Sequence, residues 1–89
     1  MGQIAAAYDL MPESTEIDLN AVIAKLSDVI PDGVSITETE IKPVAFGLMK
    51  VWVGFIIDDA DPEVGSKLEA ALRSIQGIEN VECVASTVV

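Results

Sequence analysis

The sequence predicts an α+β domain of order β-α-β-β-α-β, with a four-stranded antiparallel sheet and two helices on one face. Three observations point to it. First, Leu48 to Ile57 is an almost wholly apolar run, rich in β-branched and aromatic residues, that stops at Asp58-Asp59 in the middle of the chain. Second, a stretch of helical periodicity lies on either side of that run. Third, the two halves end their helices alike, with Ile30-x-x-Gly33-Val34 in one and Ile75-x-Gly77-Ile78 in the other. The central run is far shorter than the roughly 20 residues a membrane-spanning helix needs, and its Val, Trp, Phe and Ile favour a pleated strand.

A first strand is expected near residues 3–12. Ile4, Ala6, Tyr8 and Leu10 share one of its faces, and Ala5, Ala7, Asp9 and Met11 the other. Pro12 ends it, and Pro12-Glu13-Ser14-Thr15 forms the connection. Asp18 then caps a helix near 18–30, in which Leu19, Val22, Ile23, Leu26 and Ile30 recur at three- and four-residue steps. Pro31-Asp32-Gly33 terminates that helix, with Gly33 at positive φ. A second strand follows near 34–41, with Val34, Ile36 and Glu38 facing one way and Ser35, Thr37 and Thr39 the other. Glu38 and Glu40 mark it as a charge-protected edge.

Pro43-Val44-Ala45-Phe46-Gly47 reads as a turn-like segment holding an aromatic residue between two backbone punctuators. The third strand is the apolar run, near 48–57. Asp61 as N-cap, Pro62 in the first helical position and Glu63 in the first turn open a second helix near 62–76. Val64, Leu68, Ala71, Leu72 and Ile75 form its apolar stripe, and Gly77 stops it. A last strand near 78–85 carries Glu79 and Glu82, again a charged edge, and Ser86-Thr87-Val88-Val89 is the tail.

Two right-handed βαβ units in this order make the split-βαβ, or ferredoxin-like, sandwich, with the first and third strands central. Both helices cover one sheet face and leave the other open. Val51, Val53, Phe55 and Ile57 then point to the helices. Lys50, Trp52 and Gly54 lie on the open face beside Ala5 and Ala7.

Composition narrows the function. The 89 residues suit a single domain, 1–89, with a modest core of Ala, Val, Ile and Leu. Fifteen acidic against five basic side chains give a net charge of −10, which repels phosphate backbones and steers basic surfaces inward. Direct nucleic-acid binding is therefore not expected. Cys83 is alone, so no intramolecular disulfide forms and a cytoplasmic location fits best. With no signal peptide and no apolar run of membrane length, no membrane association is expected either. Met1-Gly2 is not followed by a myristoylation motif, because Ala6 stands where that motif needs Ser or Thr.

The chain has no histidine, which removes most metal and nucleophile chemistry. Asp58, Asp59, Asp61 and Glu63 offer oxygens to a divalent cation, but a helix start accounts for the same residues. Cys83 has no basic neighbour to activate it. Heavy-metal-binding members of the fold need a second nearby cysteine, and acylphosphatase-type members need an arginine in a phosphate-cradling loop; Arg73 lies late in a helix. RNA-binding members stack bases on strand aromatics, whereas Trp52 and Phe55 point to opposite faces. No enzyme activity, metal or cofactor is expected.

The segment Lys42-Pro43-Val44-Ala45-Phe46-Gly47-Leu48-Met49-Lys50, the apolar strand after it and the acidic stop resemble the nucleotide-exchange domain of translation elongation factor 1-beta. That family carries a Pro-aliphatic-small-Phe-Gly-aliphatic-x-Lys segment ahead of an apolar strand ending in acids. The likeness covers essentially the whole chain and matches the short archaeal form, which consists of this domain alone. It implies a guanine-nucleotide exchange factor that promotes GDP release from the elongation factor 1-alpha GTPase, so that GTP can reload. It further implies that Phe46, on a loop held by Pro43 and Gly47, is a hydrophobic anchor for that partner, with Lys42 and Lys50 flanking it. Thr87, Val88 and Val89 correspond to the tail that, in eukaryotic relatives, carries a lysine reaching towards the magnesium site; that lysine is absent here.

The residues alone leave Phe46 open between an anchor and a side chain packed over the core edge. A rival reading is a ligand-sensing regulatory or dimerisation module of the same topology. It would place the site at Gly33 and the Asp32 turn and make Phe46 structural. Such modules are normally tethered to an enzyme, whereas this chain reads as complete at both ends. A homodimer through the open face around Trp52 is compatible with either.

Overall fold

The computed structural model describes residues 2–58 and 63–88. Its elements are β1 (Gln3–Pro12), α1 (Leu19–Val29), β2 (Val34–Ala45), β3 (Leu48–Asp58), α2 (Val64–Arg73) and β4 (Ile78–Val88). The sheet is antiparallel throughout, in the order β2-β3-β1-β4. The two apolar strands are inside and the two glutamate-bearing strands are at the edges, the α+β split-βαβ arrangement the sequence predicts.

Strand alternation builds the core. Ile4, Ala6, Tyr8 and Leu10 of β1 stand opposite Ile57, Phe55, Val53 and Val51 of β3, in a ladder with no register break. These side chains meet Leu19, Val22 and Leu26 of α1 and Val64, Leu68 and Leu72 of α2, all buried. Ile23 and Ile30 are half-buried at the margin. Tyr8 packs edge-on against Phe55, ring centroids 5.9 Å apart. Fully burying one such large apolar side chain contributes about 1.5–3 kcal/mol, and this face supplies most of the available apolar burial.

The helix starts and stops follow local chemistry. The Asp18 carboxylate accepts from the Asn20 and Ala21 N–H groups at 3.0 and 3.3 Å, capping α1. The chain leaves each helix region through a left-handed glycine, Gly33 or Gly77. α2 runs from Val64 to Arg73, shorter than the 62–76 expected, and Ile75 is buried just past its end. The expected cap at Asp61 and Pro62 lies outside the described residues.

Two expectations are corrected in β2. Pairing with β3 continues through Lys42–Lys50, Pro43–Met49 and Ala45–Leu48, so Lys42 to Ala45 are strand and not loop. Pro43 is tolerated because β2 is an edge strand, where a missing donor can face solvent. The faces also change along the strand. Ile36 stands opposite Phe55 but Glu38 opposite Gly54, so Thr37 is an extra, bulged residue and the alternation flips. Beyond it Thr39 and Ile41 lie on the helix side, and Glu38, Glu40 and Lys42 lie on the open face.

Gly54 permits this: a Cβ there would sit 2.7 Å from Thr37 Oγ1 and 3.4 Å from the Trp52 ring. β4 also extends past the expected 85 to Val88, pairing Thr87 with Ala5 and Val88 with Ile4 beyond a bulge at Val84.

Candidate partner-binding hairpin and open sheet face

Because Ala45 pairs with Leu48, only Phe46 and Gly47 make the β2–β3 turn. Their φ values are 51° and 82°, positive at both central positions, the signature of a type I′ hairpin turn. Gly47 adopts that conformation freely. For Phe46 the left-handed backbone costs roughly 1–2 kcal/mol, and it is the only non-glycine residue at positive φ among the described residues. Its relative exposure is 104%, so the ring is not buried against the core edge. Leu10–Val51 is the last β1–β3 pair, so the hairpin arm from Lys42 to Lys50 projects past its inner neighbour. Val44 adds exposed apolar surface near the tip, and Ile41 at the base of the arm.

The flanking lysines are not equivalent. Lys42 and Lys50 face each other across the two strands on the open side of the sheet. Lys50 Nζ lies 2.6 Å from Asp9 Oδ2, while Lys42 Nζ lies 3.5 Å from exposed Glu40 and 5.0 Å from the centre of the Trp52 ring. Asp9 is only 6% exposed, the one buried charged residue among those described, and its Oδ1 has no hydrogen-bond partner. Lys50 is thus the counter-ion of a buried carboxylate, and Lys42 is held only by weak surface contacts.

The tail residues lie elsewhere. Thr87 and Val88 are exposed at the end of β4, in line with Ile56 and Ile57 of β3 through Ala5 and Ile4; Val89 lies outside the described residues. From Leu48 to Ile57 the strand advances nine residues, roughly 30 Å at ~3.3 Å each. The candidate residues therefore form two groups at opposite ends of the sheet: Pro43, Phe46, Gly47, Lys42 and Lys50 at one, Thr87 and Val88 at the other.

Between them lies a groove of about 220 Å³ on the open face, floored by Ala5, Ala7, Gly54 and Ala85 and walled by Trp52. The sequence reading did not single out Asp9. Its signal was there, as the one charged residue in an otherwise uncharged strand.

At the rival location, Gly33 borders a shallow pocket of about 230 Å³ with Gln3, Ser35 and Asp58. Phe46 is not structural, as that reading requires. Cys83 is exposed on β4 opposite Tyr8. Burial, reinforced by the neighbouring Glu69 and Cys83, pushes the Tyr8 phenol up to about 12. Among the described residues no three His, Cys, Asp or Glu side chains stand close enough to hold a metal ion, and no helix is long and apolar enough to cross a membrane.

Fold and site together define a split-βαβ domain that projects an exposed aromatic on a strained hairpin turn. The model of the EF-1 guanine nucleotide exchange domain matches residues 5–88, and the chain belongs to that family. Relatives named elongation factor 1-beta extend over nearly all of it. That of Methanococcoides burtonii is 37% identical over 83 residues, covering 92% of this chain and 91% of the relative. The Methanothermobacter thermautotrophicus protein is 35% identical over 82 residues, covering 92% and 91%. The Methanospirillum hungatei protein is 34% identical across 100% of both chains. Among solved structures, the C-terminal domain of the MgtC protein from Mycobacterium tuberculosis is similar with a TM-score of 0.55. It covers 100% of this chain and 88% of that one at 12% identity, a likeness of fold alone.

Proposed function

We propose that this chain is a guanine-nucleotide exchange factor for the elongation factor 1-alpha GTPase, acting in the cytoplasm as one domain over residues 1–89 and performing no bond chemistry of its own. Family membership supports the exchange role, and one structural observation supports the way it is exerted. Phe46 is held fully exposed in a backbone conformation that disfavours it. A ring of that size in water, on a turn that asparagine would form at lower cost, has no stabilising role in the free protein. Its role is as an anchor in a pocket of the partner.

An exchange factor works by differential affinity. It binds the nucleotide-free GTPase better than the GDP-bound form, and by linkage each ligand then weakens the other. Phe46 at one end of the sheet and Thr87 and Val88 at the other contact the GTPase together, with Val89 next to them in sequence, so the partner presents a surface on the order of 30 Å long. Holding two separated points fixes the orientation in which the nucleotide site is disturbed. Pro43 and Gly47 set the hairpin geometry, Lys42 contributes a loosely held positive charge at the base of the arm, and Lys50 holds the arm to β1 through Asp9.

The test is the release of fluorescent GDP from elongation factor 1-alpha with and without this protein. Accelerated release that is lost in Phe46→Ala supports the reading. Acceleration that survives the substitution removes the anchor, and no acceleration by the unaltered protein refutes the function.

A further inference from the structure

We propose that the open face of the sheet is the surface along which the GTPase lies, and that its groove takes an apolar side chain from a partner segment whose arginine stacks on Trp52 beside Asp9. The proposal rests on the exchange-factor reading and deepens it, because the two groups of contact residues lie at opposite ends of this face.

The shape comes first. Small residues of three adjacent strands, Ala5, Ala7, Gly54 and Ala85, leave a depression in the middle of the sheet, with Trp52 as its wall. At about 220 Å³ it is below the ~300–1,000 Å³ usual for a small-molecule pocket. It suits one inserted side chain.

Charge then selects the occupant. The cross-strand row Glu40–Trp52–Asp9–Glu82 spans all four strands with three carboxylates and one aromatic ring, and Glu38 lies one row away. The face has already drawn in two of the chain's own cations: Lys42 over Trp52 and Lys50 on Asp9. Acceptors are still in excess, and Asp9 Oδ1 remains without a donor although the residue is nine-tenths buried. A guanidinium is flat and carries five donors, so it can replace the loosely held Lys42 on the ring while bonding to carboxylates beside it. A second copy of this chain would bring the same acids against these ones at −10 each, and a nucleic acid would meet the same repulsion.

Trp52 is the chain's only tryptophan, so 5-fluorotryptophan labelling gives one fluorine resonance on this face. With nucleotide-free elongation factor 1-alpha present, that resonance should shift and become protected from a soluble gadolinium chelate. Ala85→Leu, which fills the groove from an exposed position, and the pair Glu40→Gln with Glu82→Gln should each slow partner association roughly tenfold while melting normally. Wild-type acceleration of GDP release with Trp52 still open to the chelate, or with the variants as fast as wild type, overturns the proposal alone. Protection that appears without the GTPase and grows with protein concentration overturns it in favour of self-association. Failure of the wild type to accelerate release refutes the exchange reading, and the proposal with it.

Discussion

Phe46→Asn should raise stability and lower activity in the same molecule. The turn needs positive φ at both central residues, and Asn-Gly adopts that geometry more readily than any other natural pair except those with a second glycine. The left-handed penalty of roughly 1–2 kcal/mol is largely relieved by asparagine, whose short side chain tolerates the region. No burial offsets the gain, since the phenylalanine is 104% exposed. A net stabilisation of about 1 kcal/mol follows, raising the melting temperature by about 4–8 °C for a domain of this size. The guanidinium midpoint should rise with an unchanged slope.

GDP release from elongation factor 1-alpha should fall at least about thirtyfold at limiting concentration, because a central aromatic anchor is worth ~2 kcal/mol or more. Phe46→Ala is the control. It keeps the strained backbone, so stability should stay put while exchange falls. A Phe46→Asn protein that melts many degrees lower would show that the ring is packed. One that is more stable and exchanges normally would show that the strain serves no binding role.

Three further outcomes follow from the same geometry. Lys50→Ala, leaving the Asp9 carboxylate buried without its counter-ion, should cost about 3 kcal/mol in urea unfolding, whereas Lys42→Ala should cost less than about 1 kcal/mol. Asp18→Ala removes the acceptor for the Asn20 and Ala21 N–H groups and should cost about 1 kcal/mol, read by thermal melting in circular dichroism. Burial, with Glu69 and Cys83 nearby, raises the Tyr8 phenol from 10.0 to about 12, so between those values the folded protein keeps a proton that the unfolded chain has lost. That stability is fully present below pH 10 and declines as pH rises towards 12, and Tyr8→Phe should flatten the decline in denaturant titrations across that window.

The parts of the fold that were legible are those where one local rule suffices. β1 and β3 pair without a bulge, so period-two alternation placed Tyr8, Leu10, Val51, Val53, Phe55 and Ile57 on the core side correctly. Asp18 announced α1 by capping chemistry alone. β2 was misread beyond Ile36 because the Thr37 bulge depends on Gly54, a residue far along the chain that leaves room for the threonine. Alternation within the strand carries no trace of that space. Pro43 to Ala45 read as part of the turn for the opposite reason: local punctuation was strong, but backbone pairing with Met49 and Leu48 overrode it and left only Phe46 and Gly47 as the turn.

The exceptions to local rules are not scattered over the molecule. On the helix-covered face the inner strands β1 and β3 alternate as their period demands, and Tyr8, Leu10, Val51, Val53, Phe55 and Ile57 are buried. On the hairpin and the open face, phenylalanine occupies a left-handed turn position, an aspartate is buried with one oxygen unpartnered, and a glycine interrupts the central strand. Each costs stability in the free domain: about 1–2 kcal/mol for the turn, about 1–3 for an unsatisfied acceptor, about 0.5–1 for a strand glycine. A small domain with a modest core has little stability to lose to three such features unless they serve something outside it. Their concentration on one arm and the one uncovered face supports the proposed placement of the partner contacts there. The same concentration explains why sequence rules built on folding alone described the paired inner strands well and the hairpin and open face poorly.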